Sequence, residues 1–346
     1  MRFLVTGHTG FKGAWLSLML HEQGHEVSGI ALDPEPGALF STARLAELLQ
    51  HDVRRDIRNF EALRGSVESI EPDVVIHMAA QPLVRASYAL PRETVETNVV
   101  GTMNLMEAIR AVDSVRAQVI VTTDKVYRNV GQSEGYVESD ALGGHDPYSA
   151  SKAAADLVAQ SWVSSFDLPP TAIARAGNVI GGGDVSQDRL LPDLLQAFIR
   201  QETAVIRYPG AVRPWQHVLD CLSGYLAVTN KLLDGLGQGE WNFGPGAQGF
   251  VTVASVADMA ADSWNESTEP SGSVHWTTES GDHPHEAHVL ALDASKAQRE
   301  LDWRNTLPID QAVEWTVRWT VRVARGEDPR DVTLDQIRAF AELLSR

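Results

Sequence analysis

Residues 3–13 read "FLVTGHTGFKG", and the fold turns on this stretch. A short apolar run is followed by Gly7, Gly10 and Gly13 at three-residue spacing. The first glycine permits a tight turn, and the second lets backbone approach a pyrophosphate. The third lets the next helix pack close to the strand, with its N-terminus facing the anion. Three glycines can also be a plain structural turn. Set between a first strand and a first helix, they predict a dinucleotide loop of Gly7, Thr9, Gly10, Phe11 and Gly13. A second strand at 26–32 ends at Leu32-Asp33, where a carboxylate can bond the adenosine ribose diol and repel a 2′-phosphate. NAD is therefore expected rather than NADP. "RDIR" at 55–58 sets Asp56 beside Ile57, a pair suited to an adenine edge.

Working outward, strand-like and helix-like segments alternate. Residues 12–23 carry Trp15, Leu16, Met19 and Leu20 at helical spacing, with Gly24 as a C-cap. Apolar strands are expected at 73–79, 117–123 and 171–176, with helices at 92–112 and 147–166. Continuous apolar strands alternating with amphipathic helices predict an α/β fold, a doubly wound parallel sheet of Rossmann-like type. Beyond Gly177 the texture changes: glycines cluster at 181–183, and seven of the nine tryptophans lie after residue 200. The expected division is a nucleotide-binding domain over 1–176, rejoined by 213–235, and a smaller substrate-binding domain over 177–212 and 236–346. The segment 309–324 reads as a docked helix, since Glu314, Arg318 and Arg322 interrupt it.

Composition sets limits. The 346 residues are 43% hydrophobic, enough for a sizeable core, and the single cysteine, Cys221, forbids an intrachain disulfide. A net charge of −17 argues against a nucleic-acid partner. No stretch approaches the ~18 apolar residues of a membrane span, and the opening residues lack a signal-peptide pattern, so a cytoplasmic protein is expected. Arg175, Arg189, Arg207 and Arg213 form a basic run that suits a small anion or scattered surface charge equally.

Two further stretches carry chemistry. "DPYSASK" at 146–152 places Tyr148 and Lys152 four apart, on one helix face. An ammonium beside a phenol lowers its pKa and makes Tyr148 a base for an alcohol. In "VTTDKVYRN" at 121–129, Thr123 falls at the C-terminal end of a strand, where such sheets place their chemistry. Here the chain resembles the extended short-chain dehydrogenases/reductases. With "HMAAQPLVRASY", "LGGHDPYSASK", "ARAGNVIGGGD", "RLLPD", "RPWQHVL", "WNFGP" and "HPHEA" in order between residues 7 and 287, it is similar to the CDP-glucose 4,6-dehydratases. Relatives acting on dTDP-glucose usually have Asp-Glu where Asp124-Lys125 stands.

That resemblance implies conversion of CDP-glucose to CDP-4-keto-6-deoxyglucose and water, with NAD as cofactor. Thr123, Tyr148 and Lys152 would oxidise C4. Asp124 would protonate the C6 hydroxyl, and Lys125 would take the C5 proton or, staying charged, stabilise the enolate. Ala79, Ala80 and Gln81 would border the nicotinamide side, and Asn98 the cofactor too. Gln81, Asn178, Arg189, Arg213, His217 and Asn242 would face the nucleotide-sugar, with Arg213 clamping the diphosphate. It also implies a homodimer through the helices at 92–112 and 147–166. Two positions depart from the family pattern: Val185, where a tryptophan often follows "GGGD", and Tyr208, where an asparagine often precedes Pro209. The alternatives are a nucleotide-sugar 4-epimerase or 4-reductase, a dehydratase for another nucleotide-hexose, or a non-catalytic NAD-sensing scaffold. The stretch "HPHEAH" at 283–288 fits no common zinc spacing, so no metal is expected.

Overall fold

The computed structural model describes residues 1–132, 134–246, 249–268, 273–278 and 290–345. The "HPHEAH" stretch lies outside them. Among the described residues no helix is long and apolar enough to cross a membrane.

Seven strands form one parallel sheet: β1 (Arg2–Thr6), β2 (Glu26–Ala31), β3 (His51–Arg54), β4 (Val74–His77), β5 (Ala117–Val121), β6 (Thr171–Ala176) and, later in the chain, β10 (Gly239–Phe243). Their order is β10-β6-β5-β4-β1-β2-β3. The central β4, β5 and β6 are buried at every position because helices cover both faces. Fully burying a valine or leucine in such a layer contributes about 1.5–3 kcal/mol. The doubly wound expectation is met. Among the elements that went unread are edge strand β3, polar and partly exposed, and the helix Phe60–Ile70, capped by Asn59.

A three-stranded sheet comprises β7 (Asn178–Ile180), β9 (Val212–His217) and β11 (Phe250–Thr252), in order β11-β9-β7. β8 (Ala204–Ile206) pairs with β12 (Trp276–Thr278). The helix Val218–Leu233 packs on β5 and β6, as a segment rejoining the large sheet would. The expected boundary at 236 does not hold at β10, whose Trp241 registers with Ala174 of β6. Its apolar Trp241 and Phe243 find a covered face only there, so the chain returns to the large sheet twice.

The turn at Gly181–Gly183 is tied to distant elements. The Trp15 indole donates to the Gly182 carbonyl at 2.9 Å, and a Cβ on Gly182 would collide with Trp319 of the helix Ile309–Ala324. That helix is docked as expected, with Val313, Val317 and Val321 buried. Arg175, one of the four basic positions, is no ligand group. It is fully buried, with Nε and Nη2 each 2.8 Å from the Asp156 carboxylate, and it also donates to Tyr127 and the Glu138 carbonyl. Asp156 accepts from Thr122 as well, joining β5, β6 and the helix Pro147–Ser165.

Removing one partner of such a pair leaves a buried charge unpaired. Asp156→Ala is expected to lower stability by about 3–5 kcal/mol, read as a fall in the urea midpoint of unfolding.

Candidate active site

The glycine loop has the geometry a dinucleotide requires. Gly7 holds φ +77°, and a Cβ there would lie 2.8 Å from the Ala79 amide. A Cβ on Gly13 would collide with the Gly7 carbonyl and His8. Gly10 is the N-cap of the helix Phe11–Glu22 and supplies no side-chain cap, which leaves first-turn N–H groups for an anion. Thr9 bonds the Leu32 carbonyl at 3.1 Å and ties the loop to the end of β2. Beside it, Asp33 is 89% exposed, 3.5 Å from the Arg54 guanidinium, which Asp52 also holds. Asp56 is chelated by Arg58, and Ile57 is packed in the core under Gly101. The glycine cradle and the acids at the ends of β2 and β3 fit NAD.

Asn98 is buried and acts through its neighbours. It accepts from the Gln81 amide at 2.8 Å and donates to Ser151 at 2.8 Å, fastening the loop after β4 to the helix bearing Tyr148. The Gln81 side chain is held by Thr94 and the Leu83 amide. Ala79 and Ala80 sit half-buried on the same loop.

The chemistry-bearing side chains meet at the end of β5. Asp146 caps the helix Pro147–Ser165 by accepting from the Ser149 amide at 3.0 Å, and Ser87 accepts from the Tyr148 amide at 3.1 Å. Thr123 stands beside Tyr148 and draws its pKa down, and the Thr123 hydroxyl donates to Asp124 Oδ1 at 2.8 Å. Lys125 Nζ lies 3.5 Å from that same oxygen. Asp124 is 0% exposed, and its Oδ2 has no hydrogen-bond partner among the described residues. The arrangement sets a phenol, a hydroxyl, a carboxyl and an ammonium side by side at the end of one strand.

One expectation needs correction. Lys152 shares a helix face with Tyr148, but its ammonium reaches back to the Val121 carbonyl at 2.9 Å instead of the phenol. Burial therefore dominates both groups. It pushes Tyr148 up to about 12, against the lowering by Thr123, and Lys152 down to about 7, with Lys12 adding to the fall. Lys12, which the motif reading passed over, stands inside the glycine loop and donates to Tyr225 at 3.1 Å. Burial lowers its pKa too. A lysine among packed glycines was the available signal.

A cleft of about 1710 Å³ opens from Thr123, Lys125 and Tyr148 toward the second sheet. Asn178, Arg189 and Arg213 line it, and Arg189 is held by buried Asp184 at 3.1 Å. Arg207 lines it as well and pairs with Asp188, which also takes Arg85 at 2.7 Å from across the cleft. Asp193, unread in the sequence, lies on the wall beyond. His217 and Asn242 do not reach the cleft. His217 is fully buried between Trp15 and Trp315 and accepts from the Leu219 amide as a helix cap. Asn242 is fully buried on β10, bonding Tyr127 and the Tyr136 carbonyl. Among the described residues no three His, Cys, Asp or Glu side chains gather as a metal site would need.

Over residues 4–316 the chain matches the family described as GDP-mannose 4,6 dehydratase. It is 45% identical over 338 residues to a CDP-glucose 4,6-dehydratase of Salmonella typhimurium, covering 94% of this chain and 92% of that protein. A probable dTDP-glucose 4,6-dehydratase of Sinorhizobium fredii is 28% identical, covering 92% of each. The solved dTDP-glucose 4,6-dehydratase of Streptomyces venezuelae, with NAD bound, superposes with a TM-score of 0.78 at 28% identity, covering 94% of this chain and 98% of that one. A UDP-glucose 4-epimerase of Thermotoga maritima shares the fold, at a TM-score of 0.78 and 20% identity over 93% of this chain and 99% of that one.

Lys152 carries a consequence for stability. Its folded pKa of about 7 lies below the ordinary 10.5, so between those values the unfolded chain binds the extra proton. Stability of the ligand-free protein should then rise with pH through that window, by at most about 1.4 kcal/mol per unit from this group. Urea midpoints at pH 7 and pH 9 check this: Lys152→Met should gain less between them than the parent.

Proposed function

Since the chain belongs to the GDP-mannose 4,6-dehydratase family, we propose that it is a nucleotide-sugar 4,6-dehydratase, converting CDP-glucose to CDP-4-keto-6-deoxyglucose and water. The observation that carries this reading is the grouping of Tyr148, Thr123 and Lys125 on the wall of one cleft, with the buried Asp124 carboxyl bonded directly behind Thr123 and Lys125. An epimerase needs only the oxidising part of that set. A dehydratase also needs an acid where the C6 hydroxyl leaves.

Bound NAD supplies a hydride acceptor for C4 and a donor for C6. Gly7, Gly10 and Gly13 would seat its pyrophosphate, Asp33 would hold its adenosine ribose, and Lys152 would orient its other ribose. Tyr148, relayed by Thr123, takes the C4 hydroxyl proton. The phenol pushed up to about 12 in the ligand-free site is brought down when positive charge enters beside it. The C4 ketone acidifies the C5 proton, which Lys125 removes or whose enolate it stabilises. Asp124, through its unpartnered Oδ2, protonates the departing C6 hydroxyl. Atoms balance: the C4 hydride ends on C6, C5 regains a proton as that hydride arrives, and the C6 hydroxyl leaves with one proton as water, the C4 hydroxyl proton making up the count.

Asn178, Arg189 and Arg213 hold the nucleotide-sugar, the arginines meeting its diphosphate. The elements after residue 177, apart from the helix Val218–Leu233 and β10, form the substrate-binding part. The CDP preference is supported by 45% identity to the Salmonella protein against 28% to the dTDP-glucose relative. A homodimer is inferred from Val95, Val100 and Leu157, apolar and exposed on the two helices expected to pair.

Incubation with CDP-, dTDP-, UDP- and GDP-glucose, followed by mass for loss of water, tests the reading. CDP-glucose should be dehydrated fastest; dehydration of dTDP-glucose alone would overturn the nucleotide choice. Asp124→Asn should slow water loss by about 10²–10⁴-fold, measured as product formed per enzyme.

A further inference from the structure

The acids of the cleft wall find partners at short range, Asp146 in the Ser149 amide and hydroxyl and Glu202 in Arg200. Asp184 pairs with Arg189, and Asp188 with both Arg85 and Arg207. Asp193 is the exception. It lines the cleft, stays accessible to water, and makes no side-chain hydrogen bond or ion pair with any described residue. The protein around it pushes its carboxyl up to about 6, and Asp188 and Asp184 add to the rise against the pull of Arg207 and Arg85. A lone acceptor on the wall of a substrate cleft awaits a donor.

Its position says which part of the substrate brings that donor. Arg189 is the N-cap of the helix Leu190–Ile199, and the Asp193 amide bonds the Arg189 carbonyl at 3.1 Å. Asp193 therefore stands one turn on, roughly 6 Å further along the axis. With the hexose at Tyr148 and the diphosphate at Arg189 and Arg213, the next unit past the ribose is the base. Leu194, Ala197, Ala204 and Ile206 supply a mostly apolar wall there for a flat ring. Cytosine presents an amine at position 4, which a carboxylate accepts from. Uracil and thymine present a carbonyl there, which would face the carboxylate acceptor to acceptor.

We propose that Asp193 is the residue that reads the base, accepting from the cytosine 4-amine and rejecting bases with a 4-carbonyl. This deepens the reading of the enzyme as a nucleotide-sugar dehydratase and rests on it. CDP-glucose and UDP-glucose are the informative pair, because they differ only in the 4-substituent and the proton on N3. An asparagine amide can turn its NH₂ toward the uracil carbonyl, whereas alanine offers neither donor nor acceptor.

The test measures kcat/KM for both substrates in the parent, Asp193→Asn and Asp193→Ala, following water loss by mass. The preference for CDP-glucose should fall by roughly 10- to 100-fold in both variants. In Asp193→Asn, UDP-glucose turnover should rise, and the change should fall in KM with kcat for CDP-glucose largely kept. A preference ratio unchanged within about threefold in either active variant would overturn the assignment, as would equal loss on both substrates. Should the asparagine variant not fold, shown by its thermal melt, the alanine variant decides alone. A parent enzyme that dehydrates no nucleotide-hexose would sink the underlying reading and leave a signature distinct from failure of Asp193.

Discussion

A carboxyl group sealed from water at the end of β5 is the constraint around which this molecule is arranged. Burying Asp124 with one oxygen unpartnered is unfavourable by several kcal/mol in an apolar setting unless other groups repay it. The Thr123 hydroxyl and the Lys125 ammonium supply part of that compensation. The rest comes from rigidity: β5 lies mid-sheet, buried throughout, so its last residues cannot swing out to solvent.

Each neighbouring element has its place set relative to that carboxyl. The helix of Tyr148 is pinned at its start by Asp146 and Ser87, and laterally by Arg175 and Asp156. Asn98 couples it to the loop after β4. The second sheet arrives through the Gly181–Gly183 turn, pressed beneath Trp319. Across the mouth of the cleft, by contrast, Arg85, Asp188 and Arg207 meet in partly exposed ion pairs. Pairs of that kind contribute about 1 kcal/mol or less, so the reacting end is fixed while the entrance is held weakly.

What the sequence showed follows from how local each signal is. β1, β4, β5 and β6 were legible because strands covered on both faces read as unbroken apolar runs. β3 was not, since "HDVR" at 51–54 is an edge strand with no such run. β10 was assigned elsewhere because its pairing with β6 spans more than sixty residues and leaves no local mark. Among the candidate site residues, Thr123, Asp124, Lys125 and Tyr148, which the structure brings together, stood out at a strand end and on one helix face, Asp124 and Lys125 taking their expected roles from the resemblance. His217 and Asn242 were misjudged: both are polar side chains that cap a helix or bridge loops inside the core. The partner of the Lys152 ammonium could not be read from i, i+4 spacing, because β5 offers it a carbonyl. Lys12 and Asp193 were invisible because their meaning depends on what the fold brings opposite them.

The central claim is that oxidation at C4 and reduction at C6 are two halves of one enclosed event. The direct measurement uses CDP-glucose carrying deuterium at C4, with mass and NMR analysis of the deoxygenated product. The account predicts that the label is found in the new C6 methyl group of the same sugar. Product whose methyl group is unlabelled, with the deuterium lost to water or passed to another molecule, would contradict it.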